Sequence, residues 1–171
     1  MLNDTGFKFC PRCAYSSISE KEGKALLCAS CGFLFYYNPA AACGCIIDTP
    51  DGVLLIKRAR DPGKGTLDVP GGFCDFDEAL EDAVRREVKE EINLTLDNLK
   101  YFASFPNIYV YKSVTYHTLD AFFTASVSDL STLALENEVA GYEFVSAEKY
   151  DGAKIGFPSV KRVLDRYFGK S

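Results

Sequence analysis

The clearest pattern of apolar and polar positions lies between residues 77 and 92, where apolar residues recur with the period of an amphipathic helix. The pattern predicts a helix that packs one apolar stripe against a core. Glu87 and Glu91 fall inside this stripe, and Glu90 lies near its edge. At 100° per residue, the stripe consists of Leu80, Ala83, Val84, Val88 and Ile92.

Carboxylates on the core-facing side of a helix are costly unless a cation meets them. Those near a helix C-terminus are also disfavoured by the helix dipole. The common alternative is a solvated face of i,i+4 ion pairs, but Lys89 lies on the outer side of the helix and Arg85 at the far edge of the stripe. A hard divalent cation held by carboxylate oxygens explains the arrangement better.

The rest of the chain alternates between strand-like runs and turns, and it closes with a second helix. Residues 49–52 form a strong turn signal, and residues 100–113 and 114–127 are expected to pair antiparallel. Residues 157–168 predict the closing helix, with Pro158 in its first turn and an apolar stripe of Val160, Leu164 and Tyr167 or Phe168. The predicted strands are 40–48, 52–58, 100–113, 114–127 and 142–146. This order predicts a mixed α/β domain.

Composition narrows the function classes. The chain has 171 residues, 47% of them hydrophobic, and a net charge of -5 without a basic run. These values argue against broad electrostatic binding to nucleic acid, although a local nucleotide site stays compatible with them. We find no apolar segment long enough to span a membrane and no signal-peptide pattern in the opening residues, so we expect a soluble cytoplasmic protein.

Four of the seven cysteines form two Cys-x-x-Cys pairs separated by fourteen residues. Two such pairs on facing hairpins complete a tetrahedral Zn²⁺ site, and four thiolates leave no open position, so the zinc is expected to be structural. The alternatives are a redox dithiol or unrelated core thiols. Too few apolar residues precede residue 38 to fold that segment without a metal. The expected ligands are Cys10, Cys13, Cys28 and Cys31.

The other three cysteines carry no assigned chemistry. Cys43 and Cys45 alternate along one face of a predicted strand and are expected to be small buried residues. Cys74 lies in the loop after the double glycine, where it could be exposed, but nothing marks it as a nucleophile.

The stretch from Gly72 to Leu94 resembles the signature of the Nudix hydrolase family, G-x5-E-x7-R-E-U-x-E-E-x-G-U, in which U is aliphatic. One position departs, because Asn93 stands where the family has Gly; Asn is an accepted helix cap in the left-handed conformation. The resemblance implies an α/β/α sandwich with a mixed sheet over residues 39–171, preceded by a zinc ribbon over residues 1–38. The matching positions are Gly72, Glu78, Arg86, Glu87, Val88, Glu90, Glu91 and Leu94.

By resemblance, the chain is expected to hydrolyse the pyrophosphate bond of a nucleoside diphosphate linked to another moiety. The family uses Mg²⁺ or Mn²⁺, which Glu87, Glu90 and Glu91 would hold together with the Gly72 carbonyl. Glu78 would support the site by pairing with Arg86.

The general base in many relatives is a carboxylate on a loop before a late strand. Glu138 fits that placement best and Glu136 comes second, while the alternative is that both are ordinary loop charges. Among four cations just ahead of the signature, Arg58 and Arg60 are our candidates for clamping substrate phosphates. The single histidine, His117, sits in a strand pattern and is expected to be structural or partly exposed rather than catalytic.

A zinc ribbon ahead of a Nudix domain is similar to the NADH pyrophosphatase branch, which carries an S-Q-P-W-P-F-P array after the signature. This chain has Ser-Phe-Pro-Asn from residue 104 and no Trp anywhere. The substrate therefore stays open among NAD(H), ADP-ribose and related dinucleotides. Phe105, Tyr109 and Tyr111 are candidates for an aromatic wall that stacks a base, with core packing as the alternative.

Two other functions stay in view. A Nudix domain can act as a nucleotide-sensing regulator, although such a protein would be expected to lose the metal-binding glutamates that this chain retains. The ribbon can instead be a docking module for nucleic acid or protein, or contribute to a homodimer, and the sequence leaves the last of these open. The balanced charge of the ribbon lowers the nucleic-acid option.

Overall fold

The computed structural model describes residues 7–170, which form two compact units. The larger unit comprises Ala40–Asn107 and residues 118–170. The smaller unit comprises residues 7–39 together with Ile108–His117, a segment that the predicted domain of residues 1–38 does not include. Within the described residues, no helix has the length and apolar character that crossing a membrane requires.

The smaller unit contains a three-stranded antiparallel sheet in the order β1-β2-β3. Its strands are β1 (Ile18–Lys21), β2 (Ala25–Cys28) and β3 (Leu34–Tyr36). Only the middle strand is largely buried, since Ala25, Leu26 and Cys28 are almost inaccessible to solvent. So small an apolar core is consistent with a fold that needs a further source of stability.

The larger sheet has seven strands, in the order β10-β5-β4-β9-β8, with β6 paired to β5 and β7 paired to β4. The pair β4–β9 is parallel and the pairs β4–β5, β5–β10 and β4–β7 are antiparallel, so the sheet is mixed. The strands are β4 (Ala40–Thr49), β5 (Gly52–Arg58), β6 (Leu67–Asp68), β7 (Gly71–Phe73), β8 (Asp97–Tyr111), β9 (Val114–Ser126) and β10 (Val139–Val145).

Two helices cover the two faces of this sheet: α1 (Leu80–Ile92) and α2 (Pro158–Phe168). Neighbouring residues of the central strands point to opposite faces, as strand geometry requires. Ile47 and Phe123 join a core cluster with α1, whereas Ile46 and Phe122 join a second cluster with α2. The result is the α/β/α sandwich with a mixed sheet that the sequence predicts.

The element bounds differ from the prediction mainly at their beginnings. Strand β10 begins at Val139 rather than at residue 142, and β8 begins at Asp97 rather than at residue 100. Helix α1 begins at Leu80 rather than at residue 77, because Asp77 is left-handed with φ 62° and Ala79 is extended. Helix α2 begins at Pro158, and its buried stripe includes Ser159 and Val163 in addition to the predicted residues Val160 and Leu164.

Candidate active site

Two glycines of β7 let the glutamates of α1 pack directly against the sheet backbone. Gly71 lies opposite Gly44 of β4, and a Cβ added to Gly71 would lie 2.2 Å from the Cys43 carbonyl oxygen. A Cβ added to Gly72 would lie 2.6 Å from the Glu87 carboxylate. The Gly71 N–H donates to Glu91 Oε2 at 2.9 Å. The double glycine therefore forms a cradle that any larger side chain would fill.

Arg86 links Glu78, in the loop before α1, to two carboxylates of the helix. Its Nε and Nη2 atoms donate to the two Glu78 oxygens, each at 2.9 Å. Its Nη1 atom donates to Glu87 at 2.9 Å and to Glu90 at 3.0 Å, contacts that the sequence pattern did not predict. The hydrogen bonds from Arg86 lower the pKa of Glu78 to about 2. The predicted Glu78–Arg86 contact is thus present, and Arg86 additionally holds two of the predicted metal ligands.

The C-terminal end of α1 is capped by the loop that precedes β10. Asn93 is left-handed, with φ 56°, as a helix C-cap requires. The backbone N–H groups of Ala134 and Glu136 donate to the carbonyls of Ile92 and Glu91 at 3.1 and 3.0 Å. These carbonyls have no partner within the helix, so the loop satisfies them while placing its own glutamates beside those of α1.

Helix α1, the loop after β5 and the loop before β10 line an open cleft of about 800 Å³. The cleft brings together predicted residues from three segments that are distant in sequence. Across it, Arg60 Nη1 donates to Glu138 Oε1 at 2.6 Å, and the Ala59 N–H donates to the Glu138 carbonyl at 3.0 Å. The lining residues are Arg60, Glu87, Lys89, Glu90, Glu91, Asn93, Ala134, Glu136, Asn137 and Glu138.

Burial shapes the charge of this cleft. Burial, reinforced by the nearby charges of Asp68 and Glu87, raises the pKa of Glu91 to about 8, against the lowering effect of the Gly71 N–H. Burial also raises the pKa of Glu87, although the Arg86 guanidinium opposes the shift. A buried carboxylate is stable only when it is protonated or when a cation lies beside it.

The donor set fits a hard divalent cation, because it consists of carboxylate oxygens beside a glycine cradle. Within residues 7–170, the four cysteines form the only group of three or more His, Cys, Asp or Glu side chains whose ligand atoms already lie close enough together to hold a metal. In the cleft, Arg86 occupies two of the carboxylates instead, since its Nη1 atom donates to both Glu87 and Glu90. A cation in the cleft would compete with Arg86 for both carboxylates.

Other predicted site residues lie elsewhere. Arg58 does not line the cleft, because its guanidinium contacts Asp68 and the Pro62 carbonyl instead. Phe105 is half-buried and packs on Phe122, 6.4 Å between ring centroids, in the core cluster beneath α2.

The remaining two predicted aromatics, Tyr109 and Tyr111, belong to the smaller unit. The Lys112 Nζ atom lies 5.1 Å from the centroid of the Tyr111 ring, within range of a cation–π contact. Phe105 therefore belongs to the larger unit and the two tyrosines to the smaller one.

The four paired cysteines of the smaller unit converge, with their Sγ atoms all within 4.8 Å of one another. None of them is in a disulfide. Each Cys-x-x-Cys segment forms a tight turn, since Ala14 N donates to the Cys10 carbonyl and Gly32 N to the Cys28 carbonyl. Hydrogen bonds from the backbone, above all that of Cys31, lower the pKa of Cys28 to about 7. This arrangement suits a metal held by thiolates.

The other cysteines follow the prediction in part. Cys43 and Cys45 are buried in the core beneath α1, as predicted. Cys74 is half-buried and packs against the same cluster, and burial raises its pKa.

Comparison with known proteins agrees with this geometry. The NUDIX domain family matches residues 38–167. The mitochondrial NAD(P)H pyrophosphatase NUDT13 of Homo sapiens is 31% identical over 97 residues, which are 57% of this chain and 27% of that protein. The ADP-ribose pyrophosphatase of Methanocaldococcus jannaschii is 45% identical over 62 residues, 36% of this chain and 37% of that protein.

The chain thus matches well under half the length of these curated relatives. A crystal structure of a NUDIX hydrolase from Nitrosomonas europaea superimposes with a TM-score of 0.72 at 25% identity, and the match covers 95% of this chain and 91% of that one. Similarity to this structure therefore extends over nearly the whole of both chains.

Proposed function

Because the chain belongs to the NUDIX family, we propose that it is a metal-dependent hydrolase that cleaves the pyrophosphate bond of a nucleoside diphosphate linked to another moiety. The observation that carries the proposal is the cleft in which Glu87, Glu90 and Glu91 of α1 meet Glu138 and Arg60 from two separate loops. Three carboxylates beside a glycine cradle suit a divalent cation, and an arginine beside them suits a phosphate.

Each residue then has a distinct role. Glu87, Glu90 and Glu91 hold Mg²⁺ or Mn²⁺, with the Gly72 carbonyl as a further oxygen donor. When bound, the cation neutralises the charge of the pyrophosphate oxygens and acidifies water. Glu78 fixes Arg86, which in turn restrains Glu87 and Glu90 in the absence of the cation.

Glu138 is the proposed general base, which accepts the proton of the attacking water. Its side chain is 65% exposed, so water reaches it freely, and its backbone is anchored to Ala59. Its partner Arg60 is the proposed phosphate ligand, since this guanidinium lines the cleft and is 61% exposed. Substrate binding would exchange the Arg60–Glu138 ion pair for an Arg60–phosphate contact, which frees the base.

The substrate class follows from the relatives and the cleft together. NAD(H) and ADP-ribose both contain a pyrophosphate between two nucleoside or sugar groups, and the names of the two relatives refer to these compounds. We therefore propose a dinucleotide or an ADP-ribose-like compound as the substrate. Phe105 is half-buried and packs in the core beneath α2, so Tyr109 and Tyr111 are the aromatics that keep the proposed base-stacking role.

A substrate panel tests the proposal: NADH, NAD, ADP-ribose, dinucleoside polyphosphates and nucleoside triphosphates, each with Mg²⁺ or Mn²⁺. We expect turnover of a dinucleotide or ADP-ribose, and its loss in Glu90→Gln and Glu91→Gln. Tight nucleotide binding without turnover of any compound would contradict the enzyme and favour a nucleotide-sensing regulator.

The base assignment has its own test. Glu138→Gln is expected to lower kcat by roughly 10²–10⁴-fold with little change in KM, which is the usual contribution of a general base. Glu136→Gln is the discriminating variant, because a loss there with an active Glu138→Gln would move the role to Glu136. Glu143→Gln, an exposed glutamate of β10 that does not line the cleft, is the matched control and should behave as wild type.

For the cysteine cluster we propose structural Zn²⁺. The purified protein, never exposed to a chelator, should contain about one zinc per chain, as four thiolate ligands imply. Cys28→Ser should lose the metal, whereas Cys45→Ser, in the core of the larger unit, should retain it. Protein that carries no zinc while the smaller unit stays folded would contradict the assignment.

A further inference from the structure

Arg58, at the end of β5, contacts three separate segments of the larger unit. Its Nε atom donates to the Pro62 carbonyl at 2.8 Å, and its Nη1 atom donates to Asp68 Oδ2 at 3.1 Å. Its guanidinium carbon also lies 4.9 Å from the centroid of the Phe157 ring. The guanidinium thus directs hydrogen bonds to the fold itself, and Arg58 does not line the cleft.

Asp68 fixes the position of the Arg58 guanidinium through an ion pair. The residue is only 7% exposed, so its carboxylate would be costly without a partner. Arg58 pairs with one oxygen, and the Val69 N–H donates to the other at 2.9 Å. The ion pair thus links the partly buried end of β5 to the buried strand β6.

The loop that follows Arg58 is closed by short contacts at its neck and its tip. At the neck, the Arg58 N–H donates to the Thr66 carbonyl and the Gly65 N–H donates to the Arg58 carbonyl, at 3.0 and 2.9 Å. At the tip, the Arg58 side chain holds Pro62, while the Thr66 hydroxyl donates to the Gly63 carbonyl at 2.6 Å. Within this loop only Arg60 lines the cleft.

We propose that Arg58 is a positioning residue, which fastens the loop of residues 59–66 so that Arg60 is presented to the substrate phosphates. The ion pair with Asp68 fixes the Arg58 side chain, and the hydrogen bond from Arg58 to the Pro62 carbonyl then restrains the loop. The role of Arg60 rests on the proposed function, whereas the fastening of the loop does not depend on it.

The fastening is tested by hydrogen–deuterium exchange of the full-length protein without ligand. In Arg58→Met, the amides of residues 59–66 should exchange about tenfold faster or more, because the loop loses its tip contact and the anchor. Arg58→Lys retains a cation for Asp68 but cannot fork to Pro62 as well, so it should show the same local effect at nearly unchanged Tm. Arg162→Met, an exposed arginine of α2, is the control. Unchanged exchange of the loop in both Arg58 variants would overturn the proposal.

The action on Arg60 is tested by a double-mutant cycle on the Kd of ADP with Mg²⁺, measured by calorimetry. Arg58→Lys and Arg60→Ala should each weaken ADP about tenfold, the usual size of one charge-assisted hydrogen bond. The double variant should be no weaker than Arg60→Ala, because Arg58 acts through Arg60. Losses that multiply would overturn the proposal. If the wild type binds no ADP, the proposed function fails, while the exchange measurement still decides the positioning role.

Discussion

The glycine cradle allows a sharp test of the proposed site through Gly72→Ala. The added Cβ would lie 2.6 Å from the Glu87 carboxylate, and ordinary contact begins at 3.4 Å, so Glu87 must move by about 0.8 Å. The carboxylate is not free to retreat, since Arg86 holds it at 2.9 Å and Glu78 holds Arg86 with two hydrogen bonds. The strand cannot retreat either, because Gly72 is paired with Cys43 of β4.

A displacement of this size at a catalytic group costs on the order of 10²-fold in rate. We therefore expect kcat/KM of Gly72→Ala to fall by about that factor and the Mg²⁺ concentration for half-maximal activity to rise, as steady-state assays over a metal titration would show. The matched control is Gly141→Ala in β10, where a Cβ has no heavy atom within 4 Å. If Gly72→Ala and Gly141→Ala show the same activity and metal dependence, then Glu87 is not a metal ligand held in place by the cradle.

Two further predictions concern stability. Asn93→Ala should lower the free energy of unfolding by about 1 kcal/mol more than Asn93→Gly in urea titrations, because only glycine adopts the left-handed conformation without cost; equal values would contradict this role of Asn93. In protein purified and kept without added Mg²⁺ or Mn²⁺, the pKa of Glu91 lies near 8 and its ordinary value near 4.5, so unfolding releases a proton between these pH values and stability should fall as pH rises through that window. Glu91→Gln should flatten this fall relative to wild type, and an unchanged slope would refute the shift.

Much of the fold could be predicted because its signals are local. The amphipathic period of α1, the proline at the start of α2 and the turn before Gly52 each lie within one element. The parallel pairing of β4 with β9 has no such signal, because it joins segments about eighty residues apart and depends on the packing of the whole sheet. The sequence also predicts the start of α1 three residues too early, at residue 77 rather than Leu80, because the apolar period does not reveal that Asp77 has a left-handed backbone conformation.

The candidate site divides in the same way. The spacing of Glu87, Glu90 and Glu91 predicts a metal centre, because all three lie on one helix. The sequence could not show that Arg58 is held by Asp68, because that contact arises from the pairing of β5 with β6. The sequence offers one signal for this contact, which is Asp68 within the apolar run of residues 67–70. A carboxylate buried in such a run needs a cation nearby.

The capping of α1 by the loop before β10 has a consequence for chain length. Because Ala134 and Glu136 are hydrogen-bonded to the end of the helix, the loop is in fixed register with it, much as two strands of a sheet are. An insertion ahead of Ala134 can bulge into solvent and leave this register intact. One inserted between Glu136 and Glu138 would shift the second carboxylate by up to about 3.5 Å, which is the reach of one residue. In this chain the fixed spacing of the cleft residues therefore extends beyond the signature, into residues 134–138.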